Sequence, residues 1–312
     1  MKTKFVPITL ISLICLTLVV PLIACSPGNT SPTTFQGDPK SQGATSNPPI
    51  ISMTGKEIWV FAGSASKPAL DETASSFEEQ TGIKVYVTYG GSGTVLSQME
   101  LSRSGDVYIP GSPDYMMKAE SKGLIDPATT KIVAYLIPAI NIQPGNPRSI
   151  QSLSDLGKPG VKVGIGNPTT VCVGLYAIEI LDKSNLLSAV YKNIVTQASS
   201  CDNTATLISL KSVDAVMGWS VFRDWDPQNI DTVNLQPEQI PRLAYIPAAI
   251  SSFAKEKDAA NDFIDFLTST AGNHIFRKWG YAVTEDEVRK YSPNAHVGGE
   301  YQLPDSYKAL TK

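Results

Sequence analysis

The chain has 312 residues, 26 of them basic and 29 acidic, with a formal charge of −3. A mildly acidic chain lacks the overall positive field that nucleic acid binding draws on, which argues against DNA and RNA as partners, though not against a small anion in a locally positive site. The length allows two domains of ordinary size, and no apolar run beyond the first two dozen residues approaches membrane-spanning length.

Met1-Lys2-Thr3-Lys4 is a short basic start, and residues 5–22 form an apolar run that ends in Leu22-Ile23-Ala24-Cys25. This is the layout of a secretory signal peptide over residues 1–24. The closing tetrapeptide resembles a bacterial lipobox, whose cysteine is acylated, so Cys25 is the expected lipidation site. The competing reading is a permanent membrane helix, but a small-residue ending before cysteine favours cleavage. Residues 25–54 are rich in Ser, Thr, Pro, Gly, Asn and Gln, too poor in apolar surface to offset chain entropy, and are expected to form a flexible tether. A lipid plus a tether places the folded body outside the cytoplasm, at the membrane surface. Loss of Lys2 and Lys4 leaves 24 basic against 29 acidic residues, a formal charge of −5.

Of four cysteines, Cys15 departs with the signal and Cys25 carries the lipid, leaving Cys172 and Cys201. An even pair in an oxidising compartment predicts a disulfide; two buried thiols are the other reading. A metal site is not expected, since the two histidines, His274 and His296, lie far from the cysteines.

The body opens with a strand over 57–62, the turn Gly63-Ser64-Ala65-Ser66, and a helix over 67–80, with Asp71 and Glu72 expected in its first turn. A strand over 83–89 follows, then the turn Gly90-Gly91-Ser92-Gly93-Thr94, a helix over 95–101, and a strand over 106–110. This βαβαβ pattern implies a parallel sheet with helices on both faces, and ligands in such sheets bind at the carboxyl ends of the strands, where both Gly-Ser turns fall.

Residues 133–142 read as an apolar strand and 161–165 as another. The turn Gly166-Asn167-Pro168-Thr169-Thr170 then leads into a helix over 171–181. Ser199 to Thr204 precede a helix over 205–210, and 214–219 is a strand. An apolar strand over 243–250 and helices over 258–267 and 272–279 complete the pattern. The expected fold is α/β with two lobes, each a mixed, mostly parallel sheet flanked by helices. Residues 55–137 plus 247–312 form the first lobe and 138–246 the second. The chain crosses between them at Leu136-Ile137-Pro138 and at Tyr245-Ile246-Pro247.

Each Gly-Ser turn sets hydroxyls and free backbone N–H groups at the start of a helix, where the dipole favours an anion. Glycine permits close backbone approach, and serine supplies a compact donor. Ordinary helix capping explains either turn alone. Two in equivalent positions point to a concave anion site with neutral donors. Gly166 to Cys172 and Ser199 to Thr204 are further helix starts of the same kind. Catalytic constellations such as GxSxG, HExxH or paired CxxC are absent, and no cofactor is implied. The acidic runs Asp114-Tyr115 and Glu285-Asp286-Glu287 read as solvated surface.

Val60 to Ser66, Thr81 to Val85, Gly90 to Thr94, Gly105 to Ile109, Gly166-Asn167-Pro168, Val213-Asp214-Ala215 and Ala259 to Tyr281, taken in order, resemble the periplasmic molybdate-binding proteins of the type II solute-binding fold. The resemblance implies two lobes closing on one tetrahedral oxyanion, molybdate or tungstate, for delivery to an ABC transporter permease by a monomeric, non-enzymatic carrier. It maps one hydroxyl to Ser64 or Ser66 and another to Ser92, with Gly91 beside it. Second-lobe backbone N–H groups map near Val171 and Cys201, and an aromatic donor maps to Trp219. Trp219 replaces a hydroxyl by a ring N–H, and Thr170 and Val171 stand where some relatives carry metal-binding carboxylates. Sulfate or another oxyanion is the alternative guest. A secreted hydrolase using Ser64 or Ser92, and a surface sensor or adhesin, are the alternatives of other classes.

Overall fold

The computed structural model describes residues 55–311. The signal segment, Cys25 and the tether lie outside the described residues. Two sheets organise the body. The first is ordered β11-β10-β3-β1-β2, with β4 alongside β10: β1 (Glu57–Gly63), β2 (Lys84–Gly90), β3 (Val107–Ile109), β4 (Lys131–Leu136), β10 (Arg242–Ile250) and β11 (His296–Val297). The second is ordered β7-β6-β8-β5-β9: β5 (Pro138–Ile142), β6 (Val163–Gly166), β7 (Ile194–Ala198), β8 (Ala215–Trp219) and β9 (Asp231–Asn234). β1 is parallel to β2 and β3, and β6 is parallel to β7 and β8, while β10 meets β3, and β5 meets β8, antiparallel. The mixed, helix-flanked α/β design read from the sequence is the observed one.

The flanking helices are α1 (Lys67–Thr81), α2 (Ser92–Ser102), α3 (Pro113–Ser121), α4 (Cys172–Lys183), α5 (Leu187–Tyr191), α6 (Cys201–Ser209), α7 (Phe222–Trp225), α8 (Lys257–Thr268), α9 (Thr270–Lys278), α10 (Glu285–Arg289) and α11 (Asp305–Leu310). None of the described helices is long and apolar enough to cross a membrane. α1 buries Leu70, Ala74 and Phe77, and Phe77 meets Phe263 of α8 edge-on at 5.1 Å. Such a pair contributes about 0.5–1.5 kcal/mol beyond its buried area. Gly82 ends α1 at φ 74°, a left-handed position that costs glycine nothing. Because α1 begins at Lys67 with Pro68 behind it, Asp71 and Glu72 fall in its second turn and not its first.

The apolar run over 133–142 is two strands, not one. β4 ends at Leu136 and β5 begins at Pro138, and the two belong to different sheets. Proline has no N–H to continue the β4 ladder, so the chain changes partners there. β4 and β10 pair antiparallel over Leu136↔Ala244 to Lys131↔Ala248, with an irregularity at Ile246/Pro247. The far ends of this ribbon, at Tyr135, Ile137 and Leu243, are buried in the apolar cluster of the second sheet. β10 pairs with β11 at Arg242 and Leu243, with β4 over Ala244–Ala248 and with β3 at Ala249 and Ile250, all in the first sheet, so the return from the second sheet falls between β9 and β10. The C-terminal segment, expected with the first lobe, also reaches the other side: Tyr307 of α11 is buried in the second cluster and meets Tyr191 of α5 edge-on at 6.0 Å.

Candidate binding site

The ends of β1, β2 and β3 each lead through a glycine and a serine into a helix. Gly63 closes β1 and Ser64 follows it, Gly91 and Ser92 follow β2, and Gly111 and Ser112 follow β3 before α3. All three serines are buried. Ser92 Oγ accepts the Gly111 N–H at 3.0 Å, tying the second and third turns together. A methyl built on Gly63 would lie 2.6 Å from Ser92 Oγ and 2.7 Å from Gly111 N. Only glycine therefore lets the first and second turns approach so closely.

From the second sheet, α4 and α6 aim their N-termini at these turns, and each helix begins with a cysteine. Ser64 Oγ accepts from the N–H groups of Cys201 at 3.0 Å and Asp202 at 3.2 Å. These are first-turn donors with no intrahelical partner. The Gly93 N–H donates to Thr170 O at 2.9 Å, and a methyl on Gly91 would sit 2.8 Å from both Thr170 O and Ser199 O. The two layers thus meet backbone to backbone, and one apolar cluster runs through Ala65, Tyr115, Val171, Cys172 and Cys201.

Six of the residues expected in the site, Ser64, Gly91, Ser92, Val171, Cys201 and Trp219, come together at this junction. Ser66 turns back into its own loop, donating to Gly63 O at 3.2 Å. Val171 is the residue before α4, and its N–H is spent on Asn167 O at 2.8 Å, so the first-turn donors left at this helix start are those of Cys172 and of Val173, the latter facing the Cys201 sulfur. The expected disulfide is not formed. Cys172 and Cys201 are free thiols with sulfurs 3.5 Å apart, well beyond the roughly 2.05 Å of an S–S bond. α6 begins at Cys201, four residues before the start read from the sequence, so that both sulfurs hang from the first positions of their helices.

Around this junction are buried polar atoms with no hydrogen-bond partner among the described residues: four donors, Ser112 Oγ, Tyr115 Oη, Tyr176 Oη and Trp219 Nε1, and one carboxylate oxygen, Asp114 Oδ2. Burial pushes the Tyr115 and Tyr176 phenols far above their ordinary range, so both keep their protons as donors. Tyr115 stands against Gly93 of α2. Trp219 packs edge-on to Tyr176 at 5.3 Å, and its ring N–H lies toward the Cys201 sulfur without reaching hydrogen-bonding geometry. An unpaired buried donor costs about 1–3 kcal/mol, and four in one place indicate a purpose other than stability.

Asp114 was expected on a solvated surface, and the structure corrects this. It is fully buried, 3.1 Å from Arg242 of β10, which also pairs with Glu179 of α4 at 2.7 Å. The Arg242 guanidinium lies over the Tyr176 ring at 4.5 Å and donates to Gly299 O at 2.6 Å. Burial opposes its charge, but Tyr176, Glu179 and Asp114 outweigh that and raise its pKa. Burial raises the Glu179 pKa despite the opposing Arg242. This pairing links α3, α4 and β10 directly behind the donors. The Glu285-Asp286-Glu287 run does cap an exposed helix start, as Thr284 and Glu287 form a capping box.

Beside Ser64 a groove of about 450 Å³ opens to solvent, lined among others by Lys67, Asp71, Glu72, Asp202, Trp225 and Trp279. Two of its three carboxylates are paired, Asp71 with Lys67 at 3.2 Å and Glu72 with Lys278 at 2.8 Å, while Asp202 has no cation partner among the described residues.

Sequence reasoning missed Gly111, Ser112, Tyr115 and Tyr176. The first two carried a readable signal, because Pro110-Gly111-Ser112-Pro113 repeats the strand, Gly-Ser, helix pattern of the first two turns. Tyr176 carried none beyond standing one helical turn after Cys172.

Residues 58–282 match the model of the bacterial extracellular solute-binding protein family. The chain belongs to that family. It is 25% identical over 233 residues to a putative binding protein of Haemophilus influenzae, covering 74% of this chain and 93% of that one. It is 24% identical over 266 residues to the molybdate-binding protein ModA of Mycobacterium tuberculosis, covering 85% and 94%. The structure superposes on the Azotobacter vinelandii periplasmic molybdate-binding protein with a TM-score of 0.66 at 18% identity, over 73% of this chain and all of that one, which establishes the shared fold.

Proposed function

We propose that this protein is a monomeric extracytoplasmic lipoprotein, anchored through Cys25, that captures molybdate or tungstate between two hinged lobes and delivers it to an ABC importer. The carrying observation is the set of buried, unpartnered donors (Tyr115 Oη, Tyr176 Oη, Trp219 Nε1 and Ser112 Oγ) beside the α6 N–H groups that Ser64 Oγ now satisfies. All are neutral donors, a chemistry that suits an anion held without a counter-cation. The family membership and the similarity to a protein named for molybdate support the same reading. On binding, the dianion takes over the Cys201 and Asp202 N–H groups, and the Ser64 hydroxyl turns from acceptor to donor. Isothermal titration of the protein with molybdate, tungstate and sulfate tests this. Binding of either metal oxyanion at micromolar concentration or below, with sulfate weaker, is expected; binding of sulfate alone refutes it.

A further inference from the structure

The two cysteines are the least expected lining for an anion site. Cys172 and Cys201 are the first residues of α4 and α6, the two helices whose N-termini face the Gly-Ser turns. A methyl on Gly111 would meet Cys172 Sγ at 2.6 Å and Ala65 Cβ at 2.7 Å, so the sulfur projects onto the third turn, beside Ser92. Cys201 Sγ is 3.5 Å from Cys172 Sγ, and the Cys201 N–H is held by Ser64 Oγ. Two thiols carry two protons. One spans the sulfur pair, and the other has no acceptor among the described residues. Burial pushes the Cys201 thiol well above its ordinary value, so it keeps its proton at neutral pH.

We propose that Cys172 and Cys201 form a redox-sensitive wall of the oxyanion site, in which the dithiol supplies an S–H donor to the bound anion and the disulfide does not. The inference rests on the oxyanion reading above. Oxidation acts in two ways. It replaces S–H donors by sulfur lone pairs, which repel an anion, and it draws the sulfurs together to about 2.05 Å, moving two helix starts off the geometry that converges on Ser64. The step balances with an external disulfide as oxidant. One cysteine sulfur, as thiolate, attacks it and releases the first small thiol. The second cysteine sulfur then attacks the mixed disulfide, forming the Cys172–Cys201 bond and releasing the second small thiol. Both cysteine protons end on the two small thiols, and the external disulfide accepts two electrons. Both sulfurs are buried, so attack requires the lobes to part, and a bound anion that holds them together protects the pair. At equilibrium linkage is reciprocal: the free energy by which bound anion disfavours the disulfide equals the free energy by which the disulfide weakens anion binding.

The experiment uses the full chain, reduced with a phosphine or oxidised with glutathione disulfide, with mass and free-thiol titration reporting the bond. Molybdate affinity is measured for each form. The reduced form should bind at least about tenfold tighter, the factor for one hydrogen bond to a charged guest. Saturating molybdate should slow disulfide formation. The double variant Cys172→Ser/Cys201→Ser, which keeps donors but cannot oxidise, should show an affinity that ignores glutathione disulfide. The wild-type comparison needs no variant, so poor folding of the double variant leaves the test standing. Equal or tighter binding by the oxidised form, or oxidation that molybdate does not slow, overturns the inference. If the reduced protein binds none of molybdate, tungstate and sulfate, the oxyanion reading itself falls and takes this one with it.

Discussion

Replacing Tyr115 by phenylalanine removes one hydroxyl and leaves the ring. Its close packing on Gly93 and its contact with the Lys118 ammonium, 4.7 Å from the ring centre, survive the change. In the free protein the hydroxyl is buried and unpartnered, so losing it should not cost stability and should gain up to about 1 kcal/mol. For a body of this size that is a rise of about 2–4 °C in Tm. In the complex the same hydroxyl would donate to a dianion, a bond worth about 1.5–3 kcal/mol, so affinity should fall roughly 10- to 150-fold. Opposite signs for stability and affinity are the signature of a donor reserved for a guest. A thermal melt of the free variant and a molybdate titration suffice. A fall in Tm with unchanged affinity would show that Tyr115 is an ordinary core residue and that the unpartnered donors have been misread.

Gly91→Ala tests closure. The backbone there is at φ −62°, comfortable for alanine, but the new methyl meets two carbonyl oxygens of the second layer at 2.8 Å. Overpacking of about 1–3 kcal/mol should weaken binding by roughly 5- to 150-fold and also lower the melting temperature of the free protein, whose layers are already in contact at this point. Ser64→Ala leaves the Cys201 and Asp202 N–H groups without their acceptor, so the free protein should lose about 1–3 kcal/mol in denaturant unfolding, and molybdate should restore part of it. Arg242→Met strands the buried Asp114 and Glu179 carboxylates and should cost about 3–5 kcal/mol, read as a lower midpoint in urea. Glu72 is held below its ordinary pKa chiefly by the Lys278 hydrogen bond, and Glu287 by the Val283 N–H. Their contribution is complete above the unfolded value of about 4.3 and is lost as pH falls through the depressed folded values. Stability measured downward from pH 5 should therefore decline, and less so in a Glu72→Gln/Glu287→Gln variant.

What the sequence determined alone was whatever depends on neighbours along the chain. Strand, Gly-Ser turn and helix were legible at Gly63-Ser64 and Gly91-Ser92 because glycine, serine and the hydrophobic period act over a few residues. The same grammar lay unread at Gly111-Ser112. The α/β class followed from the order of elements. What only tertiary structure decided was the meeting of distant segments. Ser64 rests on α6 N–H groups 137 and 138 residues away, which separates it from Ser66, a neighbour with the same hydroxyl. Asp114 reads as surface until Arg242, 128 residues on, is folded against it. Cys172 and Cys201 were paired by counting, but whether two sulfurs share a bond or a proton depends on how two helix starts are set against each other. Burial, partnership and the absence of a partner for a polar atom are properties of packing, and no local window of sequence contains them.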